Sequence, residues 1–198
     1  MNPLASLLVV AGYLLGSVSF ALLLVRWRTG RDIRTVGSGN AGATNVLRAH
    51  GKALALAVAL LDIAKGAAAV LLVRTVTGDP RYAAAAGFAA ILGHVFPVFS
   101  GFRGGKGVAT AVGAFLVLAP LGTLACMAVF VLAVAVTRYV SVGSIVAIVL
   151  LPPAARVLSH APDAVLIAAA ATAVLVVLKH LDNIKRLARG EERRIGSK

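Results

Sequence analysis

The sequence is short of nearly everything a water-soluble enzyme is built from. Only 14% of its 198 residues are charged and 60% are hydrophobic, whereas a soluble domain is about 25% charged and about 45–50% apolar. That balance excludes a soluble globular enzyme and a disordered chain. Cysteine is nearly absent. The one present, Cys126, leaves no disulfide to form within the chain and no cysteine-based metal site. It sits in an apolar run and reads as a small core residue. Acidic residues are scarce as well, 7 against 20 Lys and Arg, for a net charge of +13. No two carboxylates lie near a polar motif except in the C-terminal tail, which argues against a magnesium-dependent phosphotransferase. No metal and no cofactor is expected. The surplus of cations exceeds what membrane topology alone requires and points to anionic company, either lipid headgroups or phosphorylated substrates, with no nucleic acid.

Long apolar runs are what the chain has instead. A spanning helix needs about 20 residues, so the length allows roughly six or seven spans and no extramembrane domain. The expected fold is therefore all-α, an integral membrane helical bundle forming one domain over residues 1–198. Met1 to Val25 is uncharged and is followed by Arg26, Arg28, Arg31 and Arg34, the reverse of a signal peptide, which carries its cations first. It reads as a retained first span. Ala53 to Val73 is the second span, holding Asp62 and Lys65, three apart and so on one helix face; they read as a structural ion pair. Tyr82 to Phe102 is the third. Gly107 to Thr137 gives 31 uncharged residues with Pro120 and Gly122 near the middle, expected as two short legs or a re-entrant hairpin. Val140 to Ala155 and Ala164 to Leu178 complete a count of seven. With the N-terminus outside and the C-terminus cytoplasmic, 16 Lys and Arg fall in cytoplasmic segments and 3 outside, as the positive-inside bias requires.

Three segments are too polar or too glycine-rich for plain connectors, and this topology puts all of them on the cytoplasmic face. Residues 37–48 read GSGNAGATNVLR and contain a literal G-x-G-x-x-G. Dinucleotide binding is rejected because a membrane span, not a strand, precedes it. What remains is a glycine loop around Gly39 whose N–H groups can approach an anion, with Ser38, Asn40, Thr44 and Asn45 adding hydrogen bonds and Arg48 a guanidinium fork. Residues 101–110 read GFRGGKGVAT. Gly104, Gly105 and Gly107 frame Lys106 where a helix opens, a favourable place for phosphate. Gly107 stands where a Walker A loop has Ser or Thr, so this is not that motif. Residues 180–192 read HLDNIKRLARGEE. His180 and Asn183 share a helix face, and His is suited to proton transfer near neutral pH, but taken alone the segment reads equally as a basic surface helix on anionic lipid. His94 and His160 have no acidic or His residue at ligand spacing.

Together, in this order, the three motifs resemble the bacterial membrane acyltransferases that use acyl phosphate to acylate glycerol 3-phosphate. The resemblance covers nearly the whole chain; Ala41, where many members carry Pro, and Arg103, where Lys is common, are minor departures. It implies a seven-span bundle in the inner membrane that makes lysophosphatidic acid, with the site at the cytoplasmic face. It also implies acyl phosphate and glycerol 3-phosphate as substrates, membrane lipids around the chain, and the soluble enzyme that makes acyl phosphate as a partner. By the same resemblance Ser38, Arg48, Lys106, His180 and Asn183 carry the reaction, with Ser144 as a further binding residue. The acceptor's proton goes to His180 or to a substrate phosphate oxygen; both remain open. The rival reading, a transporter for an organic phosphate, is disfavoured by polar motifs on one face only and no inverted repeat.

Overall fold

A computed structural model describes residues 2–196. Met1, Ser197 and Lys198, the extreme ends of the expected first span and basic tail, lie outside the described residues. The protein is all-helical among these residues. Its contacts divide it into two compact units, Met1–Val117 and Leu118–Lys198.

In the first unit, α1 (Pro3–Gly16) and α2 (Phe20–Thr29) are followed by a short α3 (Ala43–His50), then α4 (Lys52–Thr77), α5 (Pro80–Val95) and α6 (Val108–Leu118), which ends at the unit boundary. The starts are written locally. Asn2 accepts from the N–H groups of Leu4 and Ala5 with Pro3 beside it, and Asp79 accepts from Arg81 N–H with Pro80 beside it. Each pairs a capping oxygen with the residue best tolerated in a first turn. Packing rests on small residues. At the α1–α5 crossing Gly16 lies against the backbone of Ala90, and Gly93 against Tyr13 and Ser17; Gly66 and Gly113 do the same between α4 and α6, against Thr110 and Ile63. Lipid offers no hydrophobic drive between helices, so close backbone approach supplies the packing energy.

The second unit holds α7 (Pro120–Thr137), α8 (Val140–Ser159), α9 (Asp163–Lys179) and α10 (Leu181–Ala188). Gly122 sits on the backbone of Ala154 and Ala155, and its N–H donates to Ser159 Oγ at 2.9 Å, pinning α7 to α8.

Expected spans and observed helices correspond in position but not in every length. Among the described residues five stretches are long and apolar enough to cross a membrane, α1 and α2 together (Pro3–Thr29) counting as one, and six if the pair α9 and α10, bent by 53°, is taken as one span. The expected count of seven is thus only partly met. The stretch 107–137 breaks at Ala119, as Pro120 dictates, but its legs are unequal. At 11 residues α6 is about 16 Å long, roughly half the hydrocarbon thickness. The first span carries an unforeseen interruption at Ser17–Ser19, where Ser17 Oγ donates to the Tyr13 carbonyl at 2.9 Å. Two serines around a valine do not stand out in an apolar run.

Candidate functional site

The first motif is half loop and half helix. After α2, Asp32 Oδ1 accepts from Arg34 N–H at 2.8 Å and caps a 3-10 turn over Ile33–Thr35. The Arg34 guanidinium returns onto the same carboxylate, at 2.7 Å, and its Nη1 donates to the Ser100 carbonyl at 2.9 Å. That hydrogen bonding outweighs partial burial and holds the Asp32 carboxyl below its ordinary range. The chain then folds around Asn45. Its Oδ1 accepts from Ser38 N–H at 2.9 Å, and its Nδ2 donates to the carbonyls of Ile33, Val36 and Asn40 at 3.0–3.1 Å. Gly37 (φ +63) is a glycine of necessity, because any Cβ there would collide with Asn45 Oδ1. Asn45, buried at 2% exposure, is the keystone of the loop, while Ser38, Gly39 and Arg48 are exposed and Asn40 half-buried. Beneath lies a small core of Val25, Ile33, Ala41, Val46 and Val58.

From Gly42 the motif continues as α3, which the loop reading did not foresee. Asn45 and Val46 N–H turn back to the Gly42 carbonyl, so the helix's first N–H groups and its positive dipole end lie at the glycine segment.

The second motif repeats this arrangement. Ala111 N–H bonds to the Gly107 carbonyl at 2.8 Å as α6 begins, directly after Lys106, as the sequence leads one to expect. Gly105 is buried and its N–H donates to the His94 carbonyl at 3.1 Å. A Cβ on Gly105 would strike His94 Nε2 and press on the Ala41 carbonyl, and one on Gly104 would strike the His94 carbonyl. The glycines therefore also serve close packing. The two motifs meet within the first unit where Gly105 lies against Ala41, and the residues that precede them are joined by the bond from Arg34 to Ser100.

In the second unit, His180 is the buried hinge between α9 and α10. Its Nδ1 lies 2.7 Å from the Val176 carbonyl. A carbonyl can only accept, so Nδ1 carries a proton. Asn183 Nδ2 donates to Glu192 Oε1 at 2.7 Å, Ser141 Oγ donates to the same oxygen at 3.0 Å, and Arg186 Nε donates to Oε2 at 2.8 Å. Burial pushes the Glu192 carboxyl up, but the bonds from Arg186, Asn183 and Ser141 together outweigh it and hold it below its ordinary value. Ser144 is buried near the start of α8.

Two clusters went unread in the sequence. Glu192 stands in the third motif, but nothing in its spacing distinguishes it from the exposed Glu191 as the acceptor for three side chains. Asp62 and Lys65 form the expected ion pair at 2.7 Å, but His94, 29 residues from Lys65 in sequence, joins them at 3.0 Å from Lys65 Nζ. No local pattern announces a contact at that range. Among the described residues no three His, Cys, Asp or Glu side chains converge as a metal site.

Residues 6–190 match the family model for glycerol-3-phosphate acyltransferase. A glycerol-3-phosphate acyltransferase of Jannaschia sp. is 49% identical over 194 residues, covering 98% of this chain and 94% of its own. One from Anaeromyxobacter dehalogenans is 45% identical over 201 residues, covering 98% and 100%. A crystal structure of PlsY, an integral membrane glycerol 3-phosphate acyltransferase in its glycerol 3-phosphate form, superposes with a TM-score of 0.92 at 40% identity, covering 97% of this chain and 96% of that one. The lysophosphatidic acid form of PlsY gives a TM-score of 0.88 at 37% identity, covering 97% and 95%.

Proposed function

Because the chain belongs to the glycerol-3-phosphate acyltransferase family, we propose that it is an acyltransferase acting on the primary hydroxyl of glycerol 3-phosphate, with acyl phosphate as donor and lysophosphatidic acid as product. It does so as a single domain of seven crossings in the cytoplasmic membrane, N-terminus outside, with the reaction at the cytoplasmic face. The observation that carries this reading is the meeting of two glycine segments, each ending at a helix N-terminus, one bearing Ser38 and Arg48 and the other Lys106. Two phosphorylated anions need such a collection of cations and N–H donors.

The acceptor oxygen attacks the acyl carbonyl, the C–O bond to phosphate breaks, and inorganic phosphate leaves. Acyl phosphate is already an activated mixed anhydride, so no acyl-enzyme is needed. Arg48, Lys106, Asn40, Gly104 and Gly107 bind phosphate, Ser38 positions it, and Ser144 assists, while Gly39 and Gly105, also expected to bind it, instead shape the two loops because their N–H groups already donate to the Val36 and His94 carbonyls. Asn45 contributes by holding the first loop in shape. His180 takes the acceptor's proton on Nε2, a role supported by the Nδ1 bond to Val176. Asn183, oriented by Glu192, helps place the reacting groups.

The test is purified protein with labelled glycerol 3-phosphate and either acyl phosphate or acyl-CoA. Labelled lysophosphatidic acid is expected with acyl phosphate alone. Turnover with acyl-CoA alone contradicts the donor assignment.

A further inference from the structure

The buried trio Asp62, Lys65 and His94 is more elaborate than helix packing requires. All three are nearly inaccessible, at 2%, 3% and 6% exposure, and ionisable groups inside membrane helices are costly unless they serve a task. The Lys65 ammonium faces three groups. It hydrogen-bonds the Val18 carbonyl at the α1–α2 break at 2.8 Å and His94 Nδ1 on α5 at 3.0 Å, and it is ion-paired with Asp62 Oδ1 on its own helix at 2.7 Å. Asp62 Oδ1 is 3.5 Å from the same His94 nitrogen, too long to replace the bond from lysine. Because the ammonium can only donate, His94 accepts at Nδ1 and its ring proton sits on Nε2. That edge of the ring lies against Gly105, and the His94 carbonyl holds Gly105 N–H at 3.1 Å. Gly105 is the residue before Lys106.

We propose that Asp62, Lys65 and His94 are positioning residues for the reaction: the ion pair locks the His94 ring, the ring and carbonyl of His94 set the height of Gly105, and so the trio places Lys106 on substrate phosphate. This rests on the reading of the Lys106 loop given above. An ion pair that only glued helices together would be complete with Asp62 and the Val18 carbonyl. The further bond, to a histidine whose far edge and backbone both bear on the glycine loop, is what ties the membrane interior to the phosphate site.

The test uses the full chain in detergent, with thermal unfolding recorded for every variant. Single loss of Asp62 or Lys65 strands a buried charge and can prevent folding, so the informative change is the pair Asp62→Asn with Lys65→Met, which removes both charges at nearly constant volume. His94→Asn, keeping an acceptor for Lys65 but lacking the ring edge at Gly105, is the second variant. Substrate KM, kcat and the inhibition constant for inorganic phosphate are measured. In folded variants KM and the phosphate inhibition constant are expected to rise together, by roughly 5- to 30-fold, with kcat changed less than about twofold. Unchanged KM and phosphate inhibition in either folded variant overturns the proposal and leaves a packing role. If the double variant does not fold, His94→Asn decides alone. Failure of the underlying functional reading looks different, because wild-type protein then neither turns over acyl phosphate nor is inhibited by phosphate.

Discussion

At the scale of single residues, the proposed reaction distinguishes groups that bind from groups that react. If Lys106 holds phosphate in ground and transition states alike, Lys106→Ala raises KM for a phosphorylated substrate more than it lowers kcat. If His180 is the proton acceptor, His180→Ala lowers kcat roughly 100- to 10,000-fold, whereas His180→Asn retaining most of kcat moves the proton to a substrate phosphate. Steady-state kinetics separates these cases. Asn45→Asp keeps the shape but loses both donors to three carbonyls. A loss of about 1–3 kcal/mol, seen as a lower melting temperature and faster proteolysis between Ile33 and Gly42, is expected. Glu192 adds a pH dependence. Its folded carboxyl is held below its ordinary value of about 4.5, so the stability it contributes is complete above that pH and is lost as pH falls through the lower folded value. Glu192→Gln should therefore be less stable than wild type at neutral pH, with the gap in melting temperature closing in acid. The polar motifs and the family resemblance marked the candidate cations, Ser38 and His180. They could not reveal that Asn45 turns inward or that Asn183 is held by Glu192, because those partners are chosen by turns and by chain return, not by spacing.

At the scale of elements, capping chemistry and apolar length were readable, and interruptions were not. The Asn-Pro and Asp-Pro starts of α1 and α5 and the break before Pro120 follow from local rules. The α1–α2 break and the helical second half of the first motif depend on packing: α3 forms because Val46 and its neighbours have a small core to cover. Small residues at helix crossings lead to a direct test. Gly93→Leu drives a side chain into the α1 backbone, where Tyr13 and Ser17 already touch, and overpacking of this kind typically costs about 1–3 kcal/mol or more. Ala85→Leu, on the exposed face of the same helix, should change little. Melting temperature and monodispersity in detergent distinguish the two, and equal effects contradict the assigned crossing.

At the scale of the whole molecule, the proposed orientation rests on the bias of Lys and Arg among the loops, and Trp27, 84% exposed amid Arg26 and Arg28, has the character of a residue at a membrane boundary. Reporter fusions are expected to place the N-terminus outside and the C-terminus in the cytoplasm; both ends on one side would require a new map of the motifs. Membrane character and helical class were plain from composition. The number of crossings was less so, because α6 is apolar throughout yet too short to be counted by length. The central claim is that these loops transfer an acyl group directly from acyl phosphate without help from a metal. Its most direct test is the ratio of inorganic phosphate released to lysophosphatidic acid formed by the purified chain in the presence of EDTA. The account predicts one phosphate for each lysophosphatidic acid, at an undiminished rate; activity that vanishes in chelator and returns with magnesium contradicts it.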